Sequence, residues 1–526
     1  MKKTYIALLL VTALGIAACG DFLKEDSQDQ VYVKTVADMD ELLVGEVYAS
    51  QSIMPLTVGN YADCDMKDYF PWIHLMDDDT EEYPSYSSVS TSPGNNGQPR
   101  QKLFGFHCWL DNPWQDLNNL ALTHESWKGF YRHIAVANSL LFQVDKRRDS
   151  GEDTDREFDR VEGECLFARA FYYWMLVNFH ALPYTTAEEA ARTEAVPLKI
   201  SENVEGGYFK RASLQEVYDR IISDLKTSAR LLDGVSQKVR FRAGKDAAHA
   251  LLSRVYLYQQ QYDLAIAYAD SVLNSSYSLL DFNNYDKVGT NYATSTETIF
   301  TMGISGYYYY MSGEELYNMG NFKVSASLQA LYGRDDSDLR PSRTFVPTGK
   351  NDGMLVRKQA MADDNSASGG HASDVFLIRL AEMYLNKAEA LASTNRPELA
   401  KAALQTLRAC RVKTGQLTAI TETGNDLIQF IRDERRRELC MEGHRWFDLR
   451  RYAVNTVYPR SEPIRHAHWQ DATRNTFVYM GEYELKPYNE DKAARVIPIP
   501  DYEIEYNKGN LQSMPDNLVR VERNAN

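Results

Sequence analysis

The chain has 526 residues, of which 58 are Lys or Arg and 73 are Asp or Glu, giving a formal net charge of −15 at neutral pH. That balance excludes nucleic-acid binding, which calls for a basic face, and adhesion to anionic lipid by charge alone. The length suffices for one very large domain or several smaller ones, each with a sizeable core.

At the N-terminus, Lys2 and Lys3 precede an apolar run over residues 6–16 and the small residues Ala17 and Ala18, the pattern of a secretory signal. The run is too short for a permanent membrane helix, which needs about 20 residues. Leu14, Gly15, Ile16, Ala17, Ala18 and Cys19 resemble a bacterial lipobox, in which the Cys19 thiol receives a diacylglyceryl group and becomes the first mature residue. More than one acyl chain then holds the protein to a membrane, because each buried CH₂ contributes about 0.8 kcal/mol. The expected organisation is a signal peptide over 1–18, a lipidated tether over 19–35 and a single folded domain over 36–526.

Residues 36–48 read as a helix, with Met39, Leu42, Leu43 and Val47 at helical spacing and Thr35 as its N-cap. From 50 to 123 the helical period fades, while Asp, Asn, Gly and Pro become frequent among many aromatics. Within this first insertion, Asp77, Asp78, Asp79, Glu81 and Glu82 suit an exposed acidic turn or, through oxygen ligands, a structural calcium. Helical pattern returns over 125–145 and 156–179, where Pro183 ends it, and again over 214–232. Residues 244–273 carry Leu252, Ser253, Tyr256, Gln260, Tyr262, Ala265, Ile266 and Val272 at the offsets of a tetratricopeptide unit. Residues 376–391 and 397–411 supply a second pair, 125–179 a third and 426–452 a fourth. One such unit cannot cover its own apolar face, so the pairs are expected to stack. The fold expected is mainly α, a tetratricopeptide-like scaffold over about 36–49, 124–274 and 374–452. A second insertion occupies about 275–373, with β-like residues at 298–302, and a C-terminal segment runs from 453 to 526.

The stretch 432–452, RDERRRELCMEGHRWFDLRRY, is the most charged in the chain. Asp433 and Glu434 with Arg437, and Arg435 with Glu438, stand three or four apart and pair along one helix face; after Gly443, Asp448 reaches Arg445 or Arg451. Paired arginines leave no site for phosphate, and they depress carboxylate pKa values, which removes general-acid capacity. A structural ion network is the expectation. His466 and His468 sit in a polar loop without a third ligand and read as surface histidines. Besides Cys19, the cysteines Cys64, Cys108, Cys165, Cys410 and Cys440 form neither a disulfide framework nor a zinc site, though a Cys64–Cys108 bridge stays open.

Sugar rings present apolar C–H faces edged with hydroxyls, so their sites need exposed aromatic platforms beside polar side chains. Trp72, Tyr83, Tyr86, Trp109, Trp114, Tyr307, Tyr308, Tyr309 and Tyr310 lie in the two insertions, and four successive tyrosines cannot all enter a core in an extended segment. With Asp78 they form the candidate ligand surface.

The order of motifs resembles the SusD/RagB family of outer-membrane lipoproteins. Cys19-Gly20-Asp21-Phe22-Leu23, Leu75-Met76-Asp77-Asp78-Asp79, Trp127 to Ile134 with Ala137-Asn138, and Glu164 with Ala168-Arg169-Ala170-Phe171-Tyr172-Tyr173 carry the likeness, as do Glu434, Arg435, Glu438, Glu442, Arg445 and Asp448, and then Pro498-Ile499-Pro500 with Glu503. After Asn507 the usual Gln-Asn-Pro-Gly-Tyr ending is replaced by Gln512-Ser513-Met514-Pro515-Asp516. The resemblance implies a lipid-anchored, surface-exposed lid on a SusC-like TonB-dependent transporter that captures oligosaccharides, without enzymatic activity or cofactor. The alternatives are a peptide-binding lid of a RagAB-type transporter and a glycoside hydrolase. The family has no motif for the ligand site, so no binding residue transfers from it.

Overall fold

The computed structural model describes residues 33, 35–49, 70–84, 99–122, 125–148, 154–203, 207–303, 322–333, 337–348, 352–359, 372–473 and 476–525. Cys19 with its signal sequence, Cys64, Tyr86 and Tyr307, Tyr308, Tyr309 and Tyr310 lie outside the described residues.

Helix α1 (Val36–Leu42) starts at a capping box, in which the Thr35 hydroxyl accepts from the Asp38 N–H and the Asp38 carboxylate accepts from the Thr35 N–H. One π turn, Leu43–Val47, extends it and buries Leu43 and Val47. The long helices α2 (Glu125–Arg147) and α3 (Asp155–His180) follow, then α4 (Leu214–Leu231). Capping boxes at Thr154 with Glu157 and at Ser213 with Glu216 set where α3 and α4 begin. Nearly every residue of α3 from Phe158 onward is buried, so it is the central helix of the body. It ends where Ala181 turns extended, two residues before Pro183.

The tetratricopeptide-like pair appears as α5 (Lys245–Tyr258) and α6 (Tyr262–Leu273), joined by a turn in which Gln260 takes a left-handed backbone (φ +59°). Small Ser253 lets the two helices close up, its hydroxyl donating to the Ala265 carbonyl at 2.9 Å. A second pair, α7 (Leu380–Ser393) and α8 (Pro397–Ala409), has Pro397 at its first helical position, where the missing N–H costs nothing. Asn386 of α7 donates to Ser253 at 3.3 Å, so the two pairs share a hydrogen bond as well as a face. From α2 to α8 each helix packs on the next in the chain. The fourth expected pair is different. Helix α9 (Gly424–Leu439) lies mainly on α7, and α10 (Arg445–Ala453) packs against the turn Pro71–His74 from the first insertion.

Among the described residues the strands pair antiparallel in twos: β1 (Thr80–Glu82) with β3 (Phe322–Val324), β2 (Thr298–Thr301) with β6 (Leu377–Arg379), β4 (Phe345–Pro347) with β5 (Met354–Val356), and β7 (Ile464–Thr473) with β8 (Thr476–Leu485). The β1–β3 ladder joins the two insertions, 240 residues apart in sequence, with Thr80 opposite Val324 and Glu82 opposite Phe322. The hairpin β7–β8 was not anticipated from the sequence. Among the described residues no helix is long and apolar enough to cross a membrane.

Helix α3 meets α4 at Gly163, whose carbonyl accepts from the Ser228 hydroxyl at 2.6 Å. A methyl group there would stand 2.7 Å from Leu232 Cγ. Alanine is the better helix former by about 1 kcal/mol, but overpacking a tight contact costs about 1–3 kcal/mol. Gly163→Ala should therefore lower stability by about 1 kcal/mol in urea titrations, and a raised unfolding midpoint would refute the close-approach account.

Candidate functional site

The charged stretch forms a buried network whose partners are mostly distant in sequence. Glu438 is 2% exposed and meets three guanidiniums, Arg379 at 2.6 Å, Arg411 at 2.9 Å and Arg340 at 3.2 Å. Arg379 also holds Glu442 at 2.7 Å and Glu297 at 3.1 Å, and Lys358 pairs with Glu442. Asp448 bridges Arg435 at 2.8 Å and Arg451 at 2.7 Å, and Arg451 passes on to Glu389. Of the local pairs expected, Glu434–Arg437 forms at 2.6 Å and Asp448 chooses Arg451. Asp433 instead accepts from Gln429, while Arg435 turns away from Glu438 to Asp448 and the Asn386 amide oxygen. Burial pushes the Glu434 carboxyl up, but Arg340, Arg437 and Arg408 outweigh it and hold the group at about 2.

The acidic turn is not exposed. Asp77 and Asp79 are buried and Asp78 is partly so, because the turn is clasped by α9 and α10. Arg445 grips Asp78 with two nitrogens, at 2.7 and 2.8 Å, and Arg436 reaches Asp79 at 2.7 Å and Asp78 at 3.2 Å. Burial raises the Asp78 carboxyl, and Arg445 and Arg436 more than reverse this, leaving it below the usual carboxylate range. Asp77, buried and beside Asp79 and Asp78, is pushed well above that range. One oxygen from each of the three lies within 4.8 Å of the others, a spacing that fits a cation. A calcium ion would have to compete with the two guanidiniums for Asp78 and Asp79. Asp78 is thus an ion-pair partner of the scaffold.

Three of the expected platforms are core residues. Trp72 and Trp109 are 1% and 0% exposed, and Trp114 is 5%. Trp72 stacks on Phe106 (4.8 Å, 8°) and meets Phe179 at the end of α3 edge-on (4.7 Å). Trp114 packs edge-on against Phe106 (4.9 Å), with its indole N–H donating to the Pro498 carbonyl. Trp109 adopts a left-handed backbone (φ 51°), stacks on His466 and donates to the Met76 carbonyl at 2.9 Å. Their large apolar area is what closes the first insertion onto the body. Tyr83 is also buried, and its hydroxyl donates to Asp352 at 2.7 Å. His466 and His468 are buried too. His466 is wedged between the His107 and Asp77 carbonyls, and His468 lies 2.9 Å from the Glu82 carboxylate. Cys108 is a buried free thiol.

What the structure does assemble is a face built from both insertions and the hairpin. Strand β3 of the second insertion pairs with β1 of the first, and Ser325 donates its N–H to Asp79 and its hydroxyl to Asp78, both at main-chain oxygens. Asp352 accepts from Tyr83 and Thr348, so the β4–β5 loop joins the same edge. Glu82 of β1 accepts the Trp469 N–H at 2.8 Å, which docks the hairpin. Beyond that point the hairpin carries Val478, Tyr479 and Met480, each close to half exposed. The sequence signal for it was the spacing of Trp469, Phe477, Tyr479 and Tyr483 around Thr473 and Thr476.

A family model described as "SusD family" matches residues 282–516, and one described as "Starch-binding associating with outer membrane" matches residues 94–257. Over these two spans the chain is similar to the SusD family. Among SusD relatives, it is 24% identical to SusD-like protein P25 of Formosa agariphila over 454 residues, 74% of this chain and 78% of that one. It is 22% identical to a SusD-like protein of Bacteroides ovatus over 512 residues, 85% and 82% of the two chains. The fold is shared with a SusD superfamily protein of Bacteroides thetaiotaomicron (TM-score 0.65, 19% identity, 91% of this chain and 99% of that one). A laminarin-binding SusD-like protein also shares it (TM-score 0.55, 20% identity, 91% and 96%).

Because folded Glu434 stays ionised down to about 2 while an ordinary glutamate protonates near 4.5, its stabilising contribution is full above about pH 4.5 and is lost as pH falls toward 2. Removing one partner of such a buried network costs about 3–5 kcal/mol. Glu434→Gln should lose that much at pH 6 by urea denaturation and fall less than wild type on acidification to pH 3. A folded variant with altered ligand preference would overturn the purely structural assignment.

Proposed function

We propose that this SusD-like chain is a cell-surface glycan-binding lipoprotein of the outer membrane, anchored through Cys19. It captures an oligosaccharide and passes it to a SusC-like TonB-dependent transporter. The observation that carries this reading is the face on which β1, β3, the β4–β5 loop and the β7–β8 hairpin converge, tied by the Tyr83–Asp352 and Glu82–Trp469 hydrogen bonds. Rigid helices below and variable segments above are how a scaffold presents a recognition surface. The laminarin-binding protein of the same fold supports a sugar as ligand, and the outer-membrane wording of the second family model supports the location.

The proposed action is binding without covalent chemistry. A hydrolase needs two carboxylates flanking the scissile bond, one of them able to give up a proton. In the acidic turn Asp78 and Asp79 are committed to Arg445 and Arg436, and Asp77 is buried with its carboxylate accepting from the Asp79 N–H. No cofactor is required by this mode of action.

Isothermal titration of the lipid-free protein against neutral and acidic glycans and mixed peptides tests the reading. Binding of at least one glycan without turnover is expected; binding of peptides alone favours a peptide-binding lid, and release of reducing ends favours a hydrolase. Cys19→Ala should move the protein from the membrane fraction to the soluble one, and retention in the membrane would overturn the lipid anchor.

A further inference from the structure

The hairpin that completes this face carries an aromatic pair in the right chemical form for a sugar. The rings of Trp469 and Tyr479 lie 5.2 Å apart at 60°, Tyr479 is 49% exposed, and Trp469 is partly exposed. The pair owes its existence to a register shift. His468 faces Gly481, but the next residue, Trp469, faces Tyr479, so Met480 is an extra residue on β8. A β-bulge of this kind re-aims side chains, and bulges are over-represented beside functional sites. Gly481, at φ +121°, takes the backbone angle that the bulge demands and that a side chain would resist.

The platform is also held still. The Glu82 carboxylate accepts the Trp469 N–H at 2.8 Å and stands 2.9 Å from the His468 ring, so β1 fixes the hairpin at the bulge. Further out, the Arg100 guanidinium lies 5.2 Å from the centre of the Phe477 ring and braces β8 against the first insertion. Aromatic rings on a braced strand lose little conformational freedom when they bind, and so bind more tightly.

We infer that Trp469 and Tyr479 are the stacking platform of the glycan site, and that the site takes a neutral oligosaccharide. This rests on the glycan reading above. The neutral class follows from the charges around the hairpin. Arg465 is paired with Glu484 at 3.0 Å, Lys323 with Glu81 at 3.2 Å and the Arg100 guanidinium lies over the Phe477 ring, while Glu482 is exposed, within a chain of net charge −15. A uronate or sulfate ester would meet the exposed Glu482 with these cations already engaged, whereas a neutral hexose meets the rings.

The test titrates wild type, Trp469→Ala, Tyr479→Ala and Tyr479→Phe with laminarin, maltoheptaose and mannan oligosaccharides, and with polygalacturonate and a sulfated galactan. Thermal melts confirm that each variant is folded. Wild type should bind a neutral glycan, both alanine variants should lose about tenfold or more in affinity with unchanged melting, and Tyr479→Phe should stay within about threefold because stacking needs only the ring. If wild type binds no glycan, the functional reading itself falls. If wild type binds and the alanine variants bind equally well, only the platform falls. Preference for the acidic polymers overturns the neutral class, and unchanged glycan affinity with lost co-purification of a transporter would mark the pair as a protein-docking surface instead.

Discussion

Charges withdrawn from water must be paired, and this protein has taken that constraint to the centre of its body. Glu438 alone gathers three guanidiniums, contributed by Arg379 at the end of β6, Arg411 just after α8 and Arg340 from the second insertion. None of these can be left out without stranding a buried charge, whose cost exceeds that of most single packing defects. The consequence is architectural. Helices α7, α8 and α9, strand β6 and the root of the second insertion must all be in place for any of them to be electrostatically satisfied. Apolar packing alone is tolerant of small shifts. Paired guanidiniums with two or three fixed nitrogens are not.

The same device extends outward to the first insertion. Arg436 on α9 and Arg445 on α10 clasp Asp78 and Asp79, while Trp72, Phe106 and Trp114 fill the space beneath against Phe179. What looks in sequence like an irregular loop is therefore a plug, nailed down by ion pairs above and aromatic packing below. Its strand β1 then serves as the edge on which β3 and the hairpin are mounted. The chain of dependence runs from the buried arginines to the acidic turn, from the turn to β1, and from β1 to the exposed rings.

Much of the scaffold was legible because its signals are local. The capping residue Thr35, small residues at Ser253 and Ala265, and Pro183 and Pro397 at helix boundaries each act within a turn or two of the chain. The site was less legible, because aromatic density says nothing about direction. Trp72 and Trp114 lack helical period not because they face solvent but because they pack around a 3₁₀ turn and a tight loop, where period has no meaning. His466 and His468 read as surface residues for a related reason. Their strand alternates against a partner ten or more residues on, and the Glu82 and Asp77 groups that satisfy them lie nearly 400 positions away. Charge pattern misled in the same way at the acidic turn, whose counter-ions sit more than 350 residues later.

Those misreadings sharpen what counts as evidence for a ligand surface in this fold. A buried tryptophan with a ring partner on each side has no face left to offer, however suggestive its neighbours in sequence. An exposed ring is different, since leaving it in water forgoes roughly 1.5–3 kcal/mol of burial and folding gives no reason to keep it there. Single exposed apolar residues need no explanation, but a Trp–Tyr pair set at a bulge and braced by a buried carboxylate is a feature with structure devoted to it. The interior of this molecule shows how completely it can bury aromatics when burial is all that matters. Phe142, Tyr208 and Tyr506 stand exposed as well, so it is the bulge and the brace, not exposure alone, that set Trp469 and Tyr479 apart.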